Sequence, residues 1–573
     1  MDVRLSDIGT FLCLSEIPGV SESPAALIRR VSSFGWNQVV LKAARVAAVI
    51  ANAPSGALAE DVVQLTKVPL ERHWASPIRD QRVVAEYVRS RPGPIAHEAV
   101  LYFVTALALL YGADDGPMPD DEAFAYLLLS ANDHCMDWRT KDGERDLTRR
   151  EQLVAVAGRA GLHNDRQDGV NKFVRGCLFM RDPPPRTPEW TDLAAWNSFQ
   201  EAALGSTLNE YLETLAGPLV IMSRLWGDLR DTAHPYPVIE PSRWLQRFPA
   251  SKTFVDELSV TREAARSALK SQVRTDGLPV GPTLFHRRPF IRLADDMLVA
   301  VSPWVVREVL NNGLWARHLA AAKQAFGDDA GAKKWSGAFG DMFEAWCRRV
   351  GTWAAATPGF RATPLDAPAN LGDLVFMRGK DVALFEVKSR LVREDVLRGG
   401  QSTRRALEYF EEFFFAARTG AHRGGVIRQV DAGIRELRRG AFEPLVPRYA
   451  RVMPCVVTFD DIGGDNPAMY RWLKARCREE GLLQGGRVRG VTLMDADLFE
   501  LLLGVAPPRG RISTPRAKTK PPGDEARLAV LLKHLAATGA PVRVPEVTRQ
   551  FESIFGRIRA LLLHPEAGGS TGA

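Results

Sequence analysis

The sequence predicts an α/β domain over about residues 331–505, a central mixed β-sheet flanked by helices, preceded by a large mainly α-helical N-terminal region. Three observations carry this expectation. Amphipathic helical periodicity dominates the first 330 residues. After Lys334 the pattern becomes a helix, two short apolar runs, two further helices and two more apolar runs. At 573 residues the chain is also too long for one core, because cores stop growing at roughly 250–300 residues, so about three structural units are expected.

Taken in order, residues 1–150 read as a helical domain, with ESPAALIRRVSSF, WNQVVLKAARVAAVIAN and EAVLYFVTALALLYG separated by Pro, Gly and Asp clusters. Residues 151–330 continue mainly helical, with a small β meander expected near 275–302, where LPVGPTLFHRRPFIRLADDMLVAVSP breaks into short apolar runs. A helix is expected at about 336–350, then strands LGDLVFM and DVALFEVK joined through Arg378-Gly379-Lys380, and helices at about 401–419 and 424–439. Strands RVMPCVVTF and RVRGVTLM complete the domain. Residues 506–573 read as a basic, Pro-rich linker, with five prolines and five Lys/Arg in APPRGRISTPRAKTKPPG, followed by a short helical tail.

Composition narrows the class of protein. With 46% hydrophobic and 25% charged residues, the chain is neither globally disordered nor fibrous. AVLYFVTALALLYG at 99–112 falls short of the roughly 20 residues that span a bilayer, so buried core helices are expected and no membrane partner. The start of the chain carries no basic segment followed by a long apolar one, so no signal peptide is read there. Six cysteines, at 13, 135, 177, 347, 455 and 477, show no Cys-x-x-Cys pair, which fits a reducing cytoplasm. The net charge of +7 is compatible with a polyanionic partner.

Chemistry concentrates between Glu344 and Lys388. In the run Asp381–Lys388, strand alternation places Glu386 and Lys388 on one side and Ala383, Phe385 and Val387 on the other. Apolar flanks indicate a central strand, where an unpaired charge is expensive. Asp373 stands thirteen residues before Glu386, and a hairpin brings its carboxylate toward Glu386 across the ladder. Two neighbouring carboxylates repel and are driven to protonate unless a divalent cation neutralises them; oxygen donors favour Mg²⁺ or Mn²⁺ over zinc. Upstream, Phe343, Trp346, Cys347 and Val350 form the buried stripe of a helix, and Glu344 lies beside that stripe, able to supply a further ligand at the strand ends.

A Glu in an opening helix, Gly-Asp on one strand and Glu-Val-Lys on the next resemble the PD-(D/E)xK restriction-endonuclease-like nuclease superfamily over about residues 335–505. The resemblance implies that Asp373 and Glu386 hold one or two Mg²⁺ ions, for which Mn²⁺ can substitute. It also implies that Lys388 orients or activates the attacking water, and that the carbonyl of Val387 ligates metal. Gly372 stands where the motif's Pro would be, as in the branches that resemble Holliday-junction resolvases and RecB-type nucleases. Gln401 or Gln429 answers to a glutamine that some branches place near the site, with Gln401 preferred. Independently of the family, phosphodiester hydrolysis needs an activated nucleophile, charge relief on the phosphoryl oxygens and help for the leaving oxygen, and these residues provide such parts.

The expected activity is a Mg²⁺-dependent endonuclease acting most readily on DNA, with the helical region recognising a target, partner or trigger. Large helical extensions before such domains resemble bacterial antiviral defence effectors, which implies a separate defence-system protein as a partner. Double-strand cutting commonly uses two sites, so symmetry suggests a homodimer. The alternatives are an inactive nuclease-fold module for nucleic-acid binding or assembly, or a ribonuclease.

Other features read as structural. The arginines between 391 and 440 (398, 404, 405, 418, 423, 428, 435, 438 and 439) are balanced between a solvated helix face and a phosphate-tracking surface. Histidines are isolated, His134 beside Cys135 included, and the thirteen tryptophans sit among helical apolar positions. The absence of GxxxxGK[ST] excludes ATP hydrolysis by a phosphate loop.

Overall fold

The computed structural model describes residues 14–51, 96–135, 175–214, 238–389, 403–459 and 462–504, apart from short gaps within these ranges. Four N-terminal helices come first: α1 (Pro24–Ser32), α2 (Trp36–Ala51), α3 (Glu98–Tyr111) and α4 (Asp121–Cys135). The Ser23 side chain accepts from the Ala26 backbone N–H at the start of α1, where Pro24 occupies the first turn and needs no hydrogen-bond donor. α3 is buried along nearly its whole length, as its uniformly apolar sequence requires. Among the described residues no helix is long and apolar enough to cross a membrane.

Against these helices lies a sheet of four short strands, β1 (Val238–Ile239), β2 (Ser259–Thr261), β3 (Phe290–Arg292) and β4 (Leu298–Ala300), in the order β1-β4-β3-β2. The expected meander near 275–302 contributes only its β3–β4 hairpin. β2 joins parallel to β3, and Thr283–Arg287 is helical.

Three further helices pack together: α5 (Leu193–Leu204), which precedes that sheet in the chain, and α6 (Leu314–Phe326) and α7 (Asp328–Ala356), which follow it. α7 is twice the length expected from the sequence, in which four internal glycines argue for breaks. Three of them are explained by close approach: a Cβ at Gly331 would collide with the Ala322 carbonyl oxygen, one at Gly351 would stand 3.1 Å from Leu374 and Phe376, and one at Gly340 would stand 3.2 Å from Ser389 Oγ. Tertiary contact thus outweighs helix propensity.

The C-terminal sheet comprises β5 (Thr363–Leu365), β6 (Leu374–Arg378), β7 (Asp381–Lys388), β8 (Arg451–Thr458) and β9 (Thr492–Asp495), in sequence order. β5, β6 and β7 pair antiparallel, whereas β7, β8 and β9 pair parallel, so the sheet is mixed. One face carries α7 together with α11 (Ala496–Gly504), which bury Phe376, Phe385, Val387, Val457 and Phe499. The other face carries α8 (Thr403–Phe415), α9 (Val426–Arg439) and α10 (Pro467–Glu479), over Val382, Leu384, Val452 and Val456. The result is a layered α/β/α arrangement, with the central strands β7 and β8 buried on both faces.

The buried cores cross the boundaries expected at 150 and 330. One cluster joins α1–α4 to residues 260–305, and another runs from Leu178 through α5, α6 and α7 into the C-terminal sheet. Sequence periodicity identifies elements but not which of them share a core. The second cluster contains an aromatic knot in which His318 stacks on Trp335 at 4.9 Å and faces Trp196 at 6.0 Å. The Trp196 side chain is fully buried, and His134 bonds the Glu22 carbonyl at 3.0 Å, so both play the structural parts expected of them.

Candidate active site

The β6–β7 hairpin turns at Gly379-Lys380, with Gly379 at φ 59°, and pairs Arg378 with Asp381. From that turn the ladder runs to Leu374 opposite Phe385, and the Asp373 amide continues it by donating to the Phe385 carbonyl at 2.9 Å. Asp373 and Glu386 therefore stand at facing positions, on the same side of the sheet as Val382 and Leu384. Lys388 follows on that side and reaches back to Glu386, its Nζ lying 2.5 Å from Oε1.

Gly372 makes this approach possible. Its φ of 139° is unfavourable for L side chains, and a Cβ would meet Leu384 at 2.9 Å. A proline, fixed near −65°, cannot adopt that conformation, which is why Gly rather than Pro precedes Asp373 in this chain.

The group is largely shielded and, among the described residues, carries excess negative charge. Glu386 is 8% exposed, Lys388 is half-buried, and the Asp373 Oδ2 accepts from the Val387 amide at 2.7 Å. Burial, and then the neighbouring Glu386 carboxylate, push Asp373 up to about 6, although Lys388 and the Val387 N–H pull it down. Two acids thus share one ammonium.

Glu344 reaches the neighbourhood from the opposite face. Gly340, one turn before it on α7, abuts Ser389 at the end of β7, so this stretch of helix lies beside the strand end. The Glu344 carboxylate accepts from Arg186 at 3.1 and 3.2 Å and from Arg348 at 3.0 Å. Burial raises its pKa, but these two guanidiniums prevail and the net shift is downward, while its charge contributes to raising Asp373. Asp341 lies 3.6 Å from Arg186 and is pushed up by burial and by Glu344.

The fold therefore brings Asp373, Glu386 and Lys388 together and sets Glu344 next to them, paired with arginines. Among the described residues no three His, Cys, Asp or Glu side chains form a ready-made metal cage. The donors at the strand ends nevertheless suit a hard divalent cation: two carboxylates at facing positions, no sulfur or imidazole, and an acid whose ionisation is opposed by its surroundings.

Gln401 lies outside the described residues, as do Arg398, Arg418 and Arg423 and the linker at 506–523. Gln429, at the head of α9, donates to the Gly424 carbonyl at 2.6 Å. The described arginines of that region are engaged with the protein itself. Arg428 bonds the Phe415 carbonyl and Glu480, Arg435 pairs with Asp431, Arg438 binds the Arg448 and Ala450 carbonyls, and Arg439 pairs with Glu436. These contacts favour a structural part for those four arginines; the side chains of Arg404 and Arg405 lie outside the described residues.

Arg186 escapes sequence reading. Nothing in DPPPRTPEW links it to a helix 158 residues later, and only the fold brings the two together. Comparison of the chain with protein families, with curated proteins and with solved structures finds no match.

Proposed function

We propose that the chain is a Mg²⁺-dependent phosphodiester hydrolase, a DNA endonuclease whose site is Asp373, Glu386 and Lys388. The observation that carries this reading is buried Glu386 on β7 and half-buried Asp373 directly before β6, at facing positions, with one ammonium, Lys388, paired to Glu386. Asp373 and Glu386 would hold the cation, with the Val387 carbonyl and Glu344 as further candidate donors. When bound, such an ion supplies charge relief to the phosphoryl oxygens and lowers the pKa of water.

The protein's own part follows from its geometry. Asp373 is fixed by the Val387 N–H, so its free lone pairs are held in a set direction. Lys388, paired with Glu386, stands where its ammonium would orient the attacking water or meet a phosphate oxygen, were Glu386 to hold a cation. The helical N-terminal region would recognise the target, partner or trigger, and a part in prokaryotic antiviral defence is proposed by analogy with the large helical extensions of such effectors.

The experiment is a cleavage assay on supercoiled plasmid, linear duplex, single-stranded DNA and RNA with Mg²⁺, Mn²⁺ or EDTA, beside Glu386→Ala and Lys388→Ala. Metal-dependent nicking or linearisation by the wild type, reduced by about 10²-fold or more in both variants, is the expected result. Cutting of RNA alone would make it a ribonuclease.

A second reading has a specific observation behind it. The Lys388–Glu386 contact is also what a structural ion pair looks like, in which case the domain binds or assembles without catalysis. Absence of cutting together with absence of Mn²⁺ stabilisation would favour that reading.

A further inference from the structure

We propose that Arg186, presented by a proline strut from the N-terminal region, is a substrate-phosphate ligand of the site on β6 and β7, an inference that rests on the nuclease reading above. Residues 182–189 run along α7 and are fastened to it at both ends. Asp182 pairs with Arg349 at 2.7 Å and Glu189 pairs with Lys334. Between the two fastenings Arg186 meets Asp341 and Glu344, so three successive contacts follow the helix in reverse order. Trp190, directly beyond, is buried against Trp335 of α7 and Phe199 of α5.

The segment is rigid by composition. Pro183, Pro184 and Pro185 fix three consecutive φ angles before Arg186, which lowers the entropy lost when its side chain engages a ligand. Pro183 and Pro185 also line a small cavity of about 40 Å³ with Met342 and Trp346, so the strut rests on the helix without fully packing onto it.

Arg186 differs from the other cation on the same acid. Its side chain remains 62% exposed while both arms of its guanidinium engage Glu344, which is itself 16% exposed. Arg348 holds Glu344 separately from within α7, so Arg186 can leave without stranding a half-buried carboxylate. A planar fork of N–H donors that fits a carboxylate fits a phosphate equally well. The position also suits the charge balance: an anionic backbone approaching two acids needs a cation at the rim, and Arg186 sits on Glu344, in the stretch of α7 that abuts the end of β7 at Ser389. On substrate entry the guanidinium transfers from Glu344 to a phosphate oxygen, with no bond broken other than hydrogen bonds.

The test measures three quantities for wild type, Arg186→Ala and Arg186→Lys: KM and kcat for cleavage, binding of a short fluorescein-labelled DNA duplex in Ca²⁺ across a salt series, and thermal stabilisation by Mn²⁺. The expected result is a rise of at least about tenfold in KM and Kd for Arg186→Ala, with partial rescue by Lys. The slope of log Kd against log salt should fall by about one, and the Mn²⁺ shift should be retained. Unchanged KM and salt slope in a wild-type background that cuts would overturn the assignment and leave the nuclease reading intact. Loss of the Mn²⁺ shift in Arg186→Ala would overturn it too, since Arg186 would then serve only to hold Glu344. A wild type that neither cuts nor responds to Mn²⁺ would instead remove the nuclease reading, and this inference with it.

Discussion

Two buried carboxylate clusters lie near α7, and they differ in how their charge is closed. In one, Glu500 of α11 receives Arg175 through 2.5 and 3.1 Å contacts and the Trp346 indole N–H at 2.7 Å, so one acid meets one guanidinium and a further donor. In the other, Asp373 and Glu386 meet, among the described residues, Lys388 and a single backbone N–H, which leaves a surplus negative charge there. A buried acid is therefore not by itself a functional signal. Surplus charge that the fold tolerates without neutralising is the better one, because it costs stability and needs a ligand to remove the cost.

Breaking the closed cluster should have the largest effect on stability. Glu500→Ala removes the carboxylate that holds the buried Arg175 guanidinium and the Trp346 indole, and is expected to destabilise the fold by about 3–5 kcal/mol, read by chemical denaturation, with no dependence on divalent metal.

The open cluster should respond in the opposite sense. The Asp373 pKa is raised above its ordinary value, so its contribution to stability is full below about 3.8 and is lost as pH rises through about 6. Asparagine imitates the protonated acid and can still accept from Val387. Asp373→Asn should therefore stabilise the metal-free protein at pH 7.5, by up to about 3 kcal/mol, with the gain fading in acid. Mn²⁺ should reverse the order of the two proteins.

His318 provides a contrast in sign that must be separated from that measurement. Its Nδ1 lies 2.7 Å from the Leu314 carbonyl, its Nε2 is buried without a hydrogen-bond partner, and burial pushes its pKa down to about 4. Stability from a buried neutral His is full above the unfolded value near 6.5 and falls as pH drops toward 4, the reverse of Asp373. Between pH 7.5 and 5 it should cost about 2 kcal/mol, and His318→Phe should flatten that part of the stability profile. The smallest effect belongs to Gly372→Ala, expected to cost on the order of 1 kcal/mol through the backbone conformation and the Leu384 contact. It should also weaken Mn²⁺ binding by shifting Asp373.

The two clusters also differ in what the sequence made legible. Glu386 and Lys388 follow from strand alternation, and Asp373 from a hairpin whose turn carries Gly379, because all three are set by short-range geometry. Four of the five strands of the mixed sheet between helix layers were legible for the same reason, each being a short apolar run, whereas β5, Thr-Pro-Leu, carries no such run and escaped the sequence reading. Arg175 with Glu500, and Arg186 with Glu344, are contacts across 325 and 158 residues, and no local pattern encodes them. The full length of α7 was hidden by glycines that are present for close packing, and the shared cores were hidden because amphipathic faces do not name their partners.

The most direct test is a calorimetric Mn²⁺ titration at pH 7.5 of the wild type, Asp373→Asn, Glu386→Gln and Lys388→Ala, each checked for native fold by circular dichroism. Saturable binding in the wild type and in Lys388→Ala, lost in both acid variants, is the predicted result. No binding by the wild type, or binding that survives removal of both Asp373 and Glu386, would contradict the assignment of the surplus charge at the β6–β7 strand ends to a metal.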